Sequence, residues 1–131
     1  MDHILVPALG AFEDQWHLSH VVRSQGFLLL SGVTGTGQDG LVASDPGEQF
    51  EQTFVHLGLY LEAAGAALTD IVEMTSHHVG LREHLAEFIA VKDRHIAEPY
   101  PAWSAIGVSQ LITEGALVEI RVLAVDPGAR R

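Results

Sequence analysis

Apolar and polar positions divide this chain into a series of short periodic segments. Leu18 to Arg23 and Phe27 to Ser31 are two apolar runs separated by Ser24-Gln25-Gly26. A three-residue loop ending in glycine predicts a hairpin, because glycine adopts positive φ without penalty. Asp45-Pro46-Gly47-Glu48 reads as a helix start, with Asp45 as cap, Pro46 at the first helical position and Glu48 completing a capping box. Phe50, Phe54, Leu57, Leu61 and Ala64 follow at helical spacing and predict one buried stripe, which Gly65 ends. Ile71 to Val79 reads as a strand. Leu85, Phe88, Ile89 and Ile96 predict a second helix from about residue 82, stopped before Pro99 and Pro101. Ala102 to Val108 and Leu117 to Val125 read as a closing pair of strands, with Val118, Ile120, Val122 and Ala124 on one face and Glu119 and Arg121 on the other. Residues 1–17 show no period and read as irregular.

The order is β-β-(β)-α-β-α-β-β, which predicts an α+β sandwich: two helices on one face of a mixed sheet. The other sheet face keeps apolar residues and requires cover, which self-association supplies. Composition supports this. The 131 residues make a single domain, residues 1–131. Hydrophobic residues make up 47% and the mean hydropathy is +0.21, high enough to predict apolar surface buried between subunits.

Charge and residue inventory exclude several functions. Seventeen acidic residues against seven basic ones give a net charge of -10, which repels phosphate backbones and argues against nucleic acid. There is no cysteine, so no disulfide, thiolate nucleophile or thiolate metal site. No long apolar run suggests a leader or a membrane span, and the expected location is the cytoplasm.

Candidate chemistry is sparse. Gly32, Gly35, Gly37 and Gly40 form a glycine-rich loop without the pattern of a phosphate loop. The eight histidines include no H-x-x-x-H or H-E-x-x-H, and His77 and His78 point to opposite faces of a strand, so neither a metal nor another cofactor is expected. Ser31 lacks a nucleophile elbow and reads as a wall residue. Glu119 is an acid within an apolar strand, equally consistent with a solvent-facing residue paired to Arg121 and with a proton shuttle. Trp103 offers a stacking ring and one N–H donor.

The stretch Pro101-Ala102-Trp103-Ser104-Ala105-Ile106-Gly107-Val108, with Leu111 and then Val118-Glu119-Ile120, resembles the C-terminal signature of the RidA (YjgF/YER057c/UK114) family, in which Pro-Ala-Arg-Ser opens one strand and a glutamate sits on the next. Leu18 to Arg23, Phe27 to Gly35, Leu61 to Gly65 and Leu68 to Val72 are similar to other family segments in the same order. The resemblance implies a chorismate-mutase-like subunit, a homotrimer around a central β-barrel, and clefts between subunits that bind a small molecule. It also implies hydrolysis of reactive enamines and imines to a carbonyl product and ammonia. By position, Glu119 matches the catalytic glutamate, Ser31 and Gly32 the cleft wall, and Ala105 a ligand-facing backbone N–H. Trp103 stands where the family has its carboxylate-gripping arginine, and Leu18 where many members have tyrosine. Both are expected to line the cleft, with Arg121 or Arg23 as substitute cations. The other readings are a non-catalytic ligand sensor on the same trimer and, against the charge, a ribonuclease.

Overall fold

The computed structural model describes residues 1–6 and 17–130. Among the described residues, six strands form one sheet in the order β1-β2-β3-β6-β4-β5. They are β1 (Asp2–Ile4), β2 (Val21–Ser24), β3 (Phe27–Leu30), β4 (Ile71–His78), β5 (Ala102–Gly107) and β6 (Val118–Val125). Only β4 and β5 pair in parallel, so the sheet is mixed. Helices α1 (Pro46–Ala63) and α2 (Leu81–His95) form the second layer. Among the described residues no helix is long and apolar enough to cross a membrane.

The helices form where the pattern places them. The Asp45 carboxylate accepts the Glu48 N–H at 2.9 Å, and Pro46 opens α1. Phe50, Phe54, Leu57 and Leu61 are buried against the sheet. Gly65 takes φ +79° just past the helix end. The inward face of α2 consists of Phe88, Val91 and Lys92. Val91 and Lys92 do not stand out in the apolar pattern, whereas Ile89, which does, is only partly covered.

Three expectations need correction. The hairpin loop has two residues, not three: Ser24 pairs with Phe27, leaving Gln25 (φ 54°) and Gly26 (φ 83°) as the turn. Two successive positive φ values match the right-handed twist of the strands. Residues 2–4 are a strand, because three backbone pairs to β2 need no side-chain periodicity. The bracketed third strand is a single bridge, Val33 to Ile120, beyond the end of β3.

β6 lies inside the sheet, paired to β3 on one side and β4 on the other. Val118, Ile120, Val122 and Ala124 are buried beneath the helices, and Glu119 and Arg121 project from the opposite, open face. That face also exposes Phe27, Leu29, Val72 and Ile106.

Leu57 is fully buried while Val55, on the same helix, is 42% exposed. Leu57→Ala is expected to lower unfolding free energy by about 2–5 kcal/mol. Val55→Ala should change it by less than about 0.5 kcal/mol. Urea denaturation of both variants checks the orientation of α1.

Candidate functional site

Glu119 owes its position to Gly32. A Cβ at residue 32 would lie within 2.5 Å of Glu119 Cδ, so the side chain occupies space that only glycine leaves open. The Val33–Ile120 bridge, with two backbone hydrogen bonds of 2.8 Å, fixes the two segments side by side. Glu119 is half-buried and makes no hydrogen bond or ion pair among the described residues. In particular, it does not pair with Arg121.

Ser31 is held from behind. Its N–H donates to the His20 carbonyl at 2.9 Å, and its hydroxyl donates to the Ser19 carbonyl at 2.6 Å. The hydroxyl proton is thus engaged, and Ser31 presents lone pairs rather than a donor. Leu18, Ser31, Gly32 and Arg121 line one hollow of about 330 Å³ on the open face. A neighbouring hollow of about 390 Å³ is lined by Glu73, Thr75, His77 and Arg121. Arg121 is exposed and has no ion-pair partner among the described residues. Arg23 cannot serve a ligand in the same way. Its guanidinium donates to Asp126 at 3.2 Å and to the Ala64 carbonyl at 3.0 Å, holding the end of α1.

Tyr60 and His20, which the sequence pattern did not single out, lie beneath this region. The rings are 5.2 Å apart. Burial pushes the Tyr60 hydroxyl up to about 12, and the Glu119 charge adds to the shift. Tyr60 therefore remains a neutral phenol near the carboxylate.

Trp103 and Ala105 lie elsewhere. β5 is an edge strand, two strands from β6, so roughly 10 Å separates it from Glu119. Val108 N–H donates to the His78 carbonyl at 2.8 Å, so the alternation along β5 turns the Ala105 N–H to the free edge. Trp103 faces the helix layer. Its indole N–H donates to Ser76 Oγ at 2.8 Å, its ring lies 6.2 Å from Phe88, and Lys92 Nζ stands 4.5 Å from the ring centroid. One chain thus brings together Leu18, Ser31, Gly32 and Glu119, and holds Trp103 and Ala105 apart from them.

Ser76 Oγ, which accepts the indole N–H, also hydrogen-bonds His78 Nε2, 2.8 Å away. His78 is 1% exposed and packs edge-on to Phe88 with centroids 4.6 Å apart. Burial, followed by the nearby His77, lowers its pKa from 6.5 to about 4. His77 projects to the open face. Among the described residues no group of three metal-ligating side chains converges.

Two predictions follow from this geometry. Gly32→Ala should evict Glu119 from its seat while leaving the helix layer folded, so that hydrogen-exchange protection changes around residues 31–33 and 119 but not in α1. For His78, the unfolded chain takes up a proton near pH 6.5 and the folded chain only near 4. Its contribution to stability is complete above pH 6.5 and is lost as pH falls toward 4. Urea midpoints should drop over that interval, and His78→Gln should flatten that part of the slope.

Comparison with known proteins places this geometry. The family model described as Endoribonuclease L-PSP matches residues 10–126. The RutC family protein YjgH of Escherichia coli is 36% identical over 110 residues, covering 83% of this chain and 82% of its own. A solved structure of a protein YJGH superposes with a TM-score of 0.89 at 31% identity, covering 96% of both chains. The structure of RidA from the Antarctic bacterium Psychrobacter superposes with a TM-score of 0.84 at 27% identity, covering 95% of this chain and 99% of that one. With the α+β fold and these matches in agreement, the chain belongs to the RidA (YjgF/YER057c/UK114) family, the family of the Endoribonuclease L-PSP model.

Proposed function

We propose that this protein is a cytoplasmic homotrimer built round a central barrel, as in a chorismate-mutase-like assembly. Small metabolites bind in clefts between its subunits and reactive imines or enamines are hydrolysed there. The observation that carries this reading is the Glu119 carboxylate, seated against Gly32 and without a hydrogen-bond or ion-pair partner among the described residues. An acid on the open face, next to a wall of the hollow and without a counterion among the described residues, is available to orient water and move its proton. In the reaction, Glu119 takes a proton from water as the oxygen adds to the imine carbon and returns it to the nitrogen to give the carbinolamine; the carbinolamine hydroxyl then gives up its proton to Glu119 and the nitrogen receives it, so that the C–N bond breaks, ammonia leaves and the carbonyl forms. An enamine first takes a proton on carbon to reach the same imine. No metal or other cofactor is needed for this sequence.

The separation of the two residue groups supports a shared cleft. Glu119, Ser31, Gly32 and Leu18 from one copy need the β5 edge of another to bring Trp103 and the Ala105 N–H to the ligand. Phe27, Leu29, Val72 and Ile106, each more than a third exposed on the open sheet face, supply apolar surface for that association. A net charge of -10 and a single arginine at the hollow offer no basic track for RNA.

A second reading, a ligand sensor without turnover, is favoured by one feature. Trp103 stands at the family's arginine position and gives its only side-chain donor to Ser76. Assays with 2-aminoacrylate generated in situ, coupled to detection of the keto acid, separate the two. The wild type is expected to turn over, and Glu119→Gln to lose about 100-fold or more in kcat while still binding product. Binding by the wild type with no turnover would favour the sensor. Light scattering should give three times the chain mass of 14.1 kDa, and a monomer would contradict the shared cleft.

A further inference from the structure

We propose that His77 is the second proton-transfer group of the Glu119 site: it serves the nitrogen that leaves, while Glu119 serves the oxygen that arrives. This inference rests on the hydrolytic reading and adds a residue to its machinery.

Strand register carries it. His77 on β4 stands directly opposite Glu119 on β6, and the pairing from Glu73 to His78 runs without a shift. Two places along, the Val79 N–H donates to the Leu117 carbonyl at 3.0 Å. By the alternation of an antiparallel ladder, His77 and Glu119 are then a hydrogen-bonded pair, with Cα atoms about 5.5 Å apart. Each of their strands is paired on both sides, so the backbone holds the two positions rigidly. The adjacent His78 is 1% exposed and packed on Phe88 under the sheet. Alternation therefore turns His77 to the open face, where Glu119 is.

The two side chains diverge from this pair. Glu119 leans toward Gly32, on the β3 side of β6, while His77 stands on the β4 side. His77 has no hydrogen-bond or ion-pair partner among the described residues. A hollow of about 390 Å³ opens beside His77 and one of about 330 Å³ beside Gly32, with Arg121 lining both. A small imine lying over β6 has the carboxylate on one flank and the imidazole on the other.

The other neighbours do not fit the task. Burial lowers the pKa of His78 to about 4, which keeps it neutral, and Tyr60 holds its proton up to about 12. Arg121 does not release a proton. Glu73 shares the face but lies four residues down β4, about 13 Å away. Imidazole is the side chain whose charge ordinarily changes between about pH 5 and 8. As the carbinolamine breaks down, the His77 imidazolium gives its proton to nitrogen and Glu119 takes the hydroxyl proton. The C–N electron pair leaves with ammonia, and the O–H pair becomes the second bond of the carbonyl. Glu119 then passes its proton through water to His77, which restores both groups.

Turnover of 2-aminoacrylate generated in situ tests the assignment on the wild type, His77→Ala, His77→Gln and Glu119→Gln, each with and without added imidazole. His77→Gln keeps bulk and polarity, so a loss shared by both His77 variants reports the missing proton carrier. His77→Ser replaces His77→Ala if that variant does not assemble. Both His77 variants should lose about 100-fold in turnover. Free imidazole should raise His77→Ala about tenfold, because the missing ring leaves it space, and should not raise Glu119→Gln. Full turnover in both His77 variants beside an inactive Glu119→Gln would overturn this inference and leave the hydrolytic reading standing. A loss that imidazole does not restore would make His77 structural and overturn it as well. No turnover by the wild type would overturn both.

Discussion

A β-strand paired on both sides has one degree of freedom left for its side chains, which is alternation between faces. β6 is such a strand, and the assignment of its two faces governs much of this molecule. Val118, Ile120, Val122 and Ala124 go under the helices because burying them removes apolar surface from water. Glu119 and Arg121 are then forced onto the open face whatever their own preferences. A register slip of one residue would drive two charges into the core. Hydrophobic burial on one side of β6 thus fixes the place of the carboxylate on the other, and the side-chain-free backbone of Gly32 gives it room to lie down.

The same sheet accounts for the division of the candidate site. β6 lies inside the sheet and β5 at its rim, with β4 between them. Glu119 and the Ala105 N–H cannot meet one ligand within a single copy, since the sheet spacing holds them about 10 Å apart. The rim strand has an unpaired backbone edge, and edges of this kind are available to a second chain. In the proposed shared cleft, function and association are coupled, because the β5 edge that would meet a second chain also carries the half of the site that Glu119 lacks.

Much of the fold was legible in the sequence because periodicity reports burial. The α1 stripe, the alternation of β6 and the start at Asp45 are all local patterns with local physical causes. β1 was not legible: it is a three-residue strand held by backbone pairing to β2, and its side chains carry no period. The inward turn of Lys92 was hidden for the opposite reason, since a charged residue on a buried stripe looks like an interruption until its contact with Trp103 is known. Glu119, Ser31 and Gly32 could be named from the chain, but their contact depends on residues nearly 90 positions apart. Tyr60 and Ser76 gave no signal at all, because one resembles an ordinary helix aromatic and the other an ordinary strand serine.

The central claim is that two copies of the chain contribute to each site. Subunit complementation tests it most directly. Glu119→Gln removes the acid from one half, and Ala105→Pro removes the outward N–H from the other at an edge position that tolerates proline. Each variant is inactive alone on this account, and unfolding, mixing and refolding the two together should restore part of the imine-hydrolysing activity through clefts that draw both intact halves from different subunits. A mixture that assembles into the oligomer and remains as inactive as its parents would contradict a site shared between subunits.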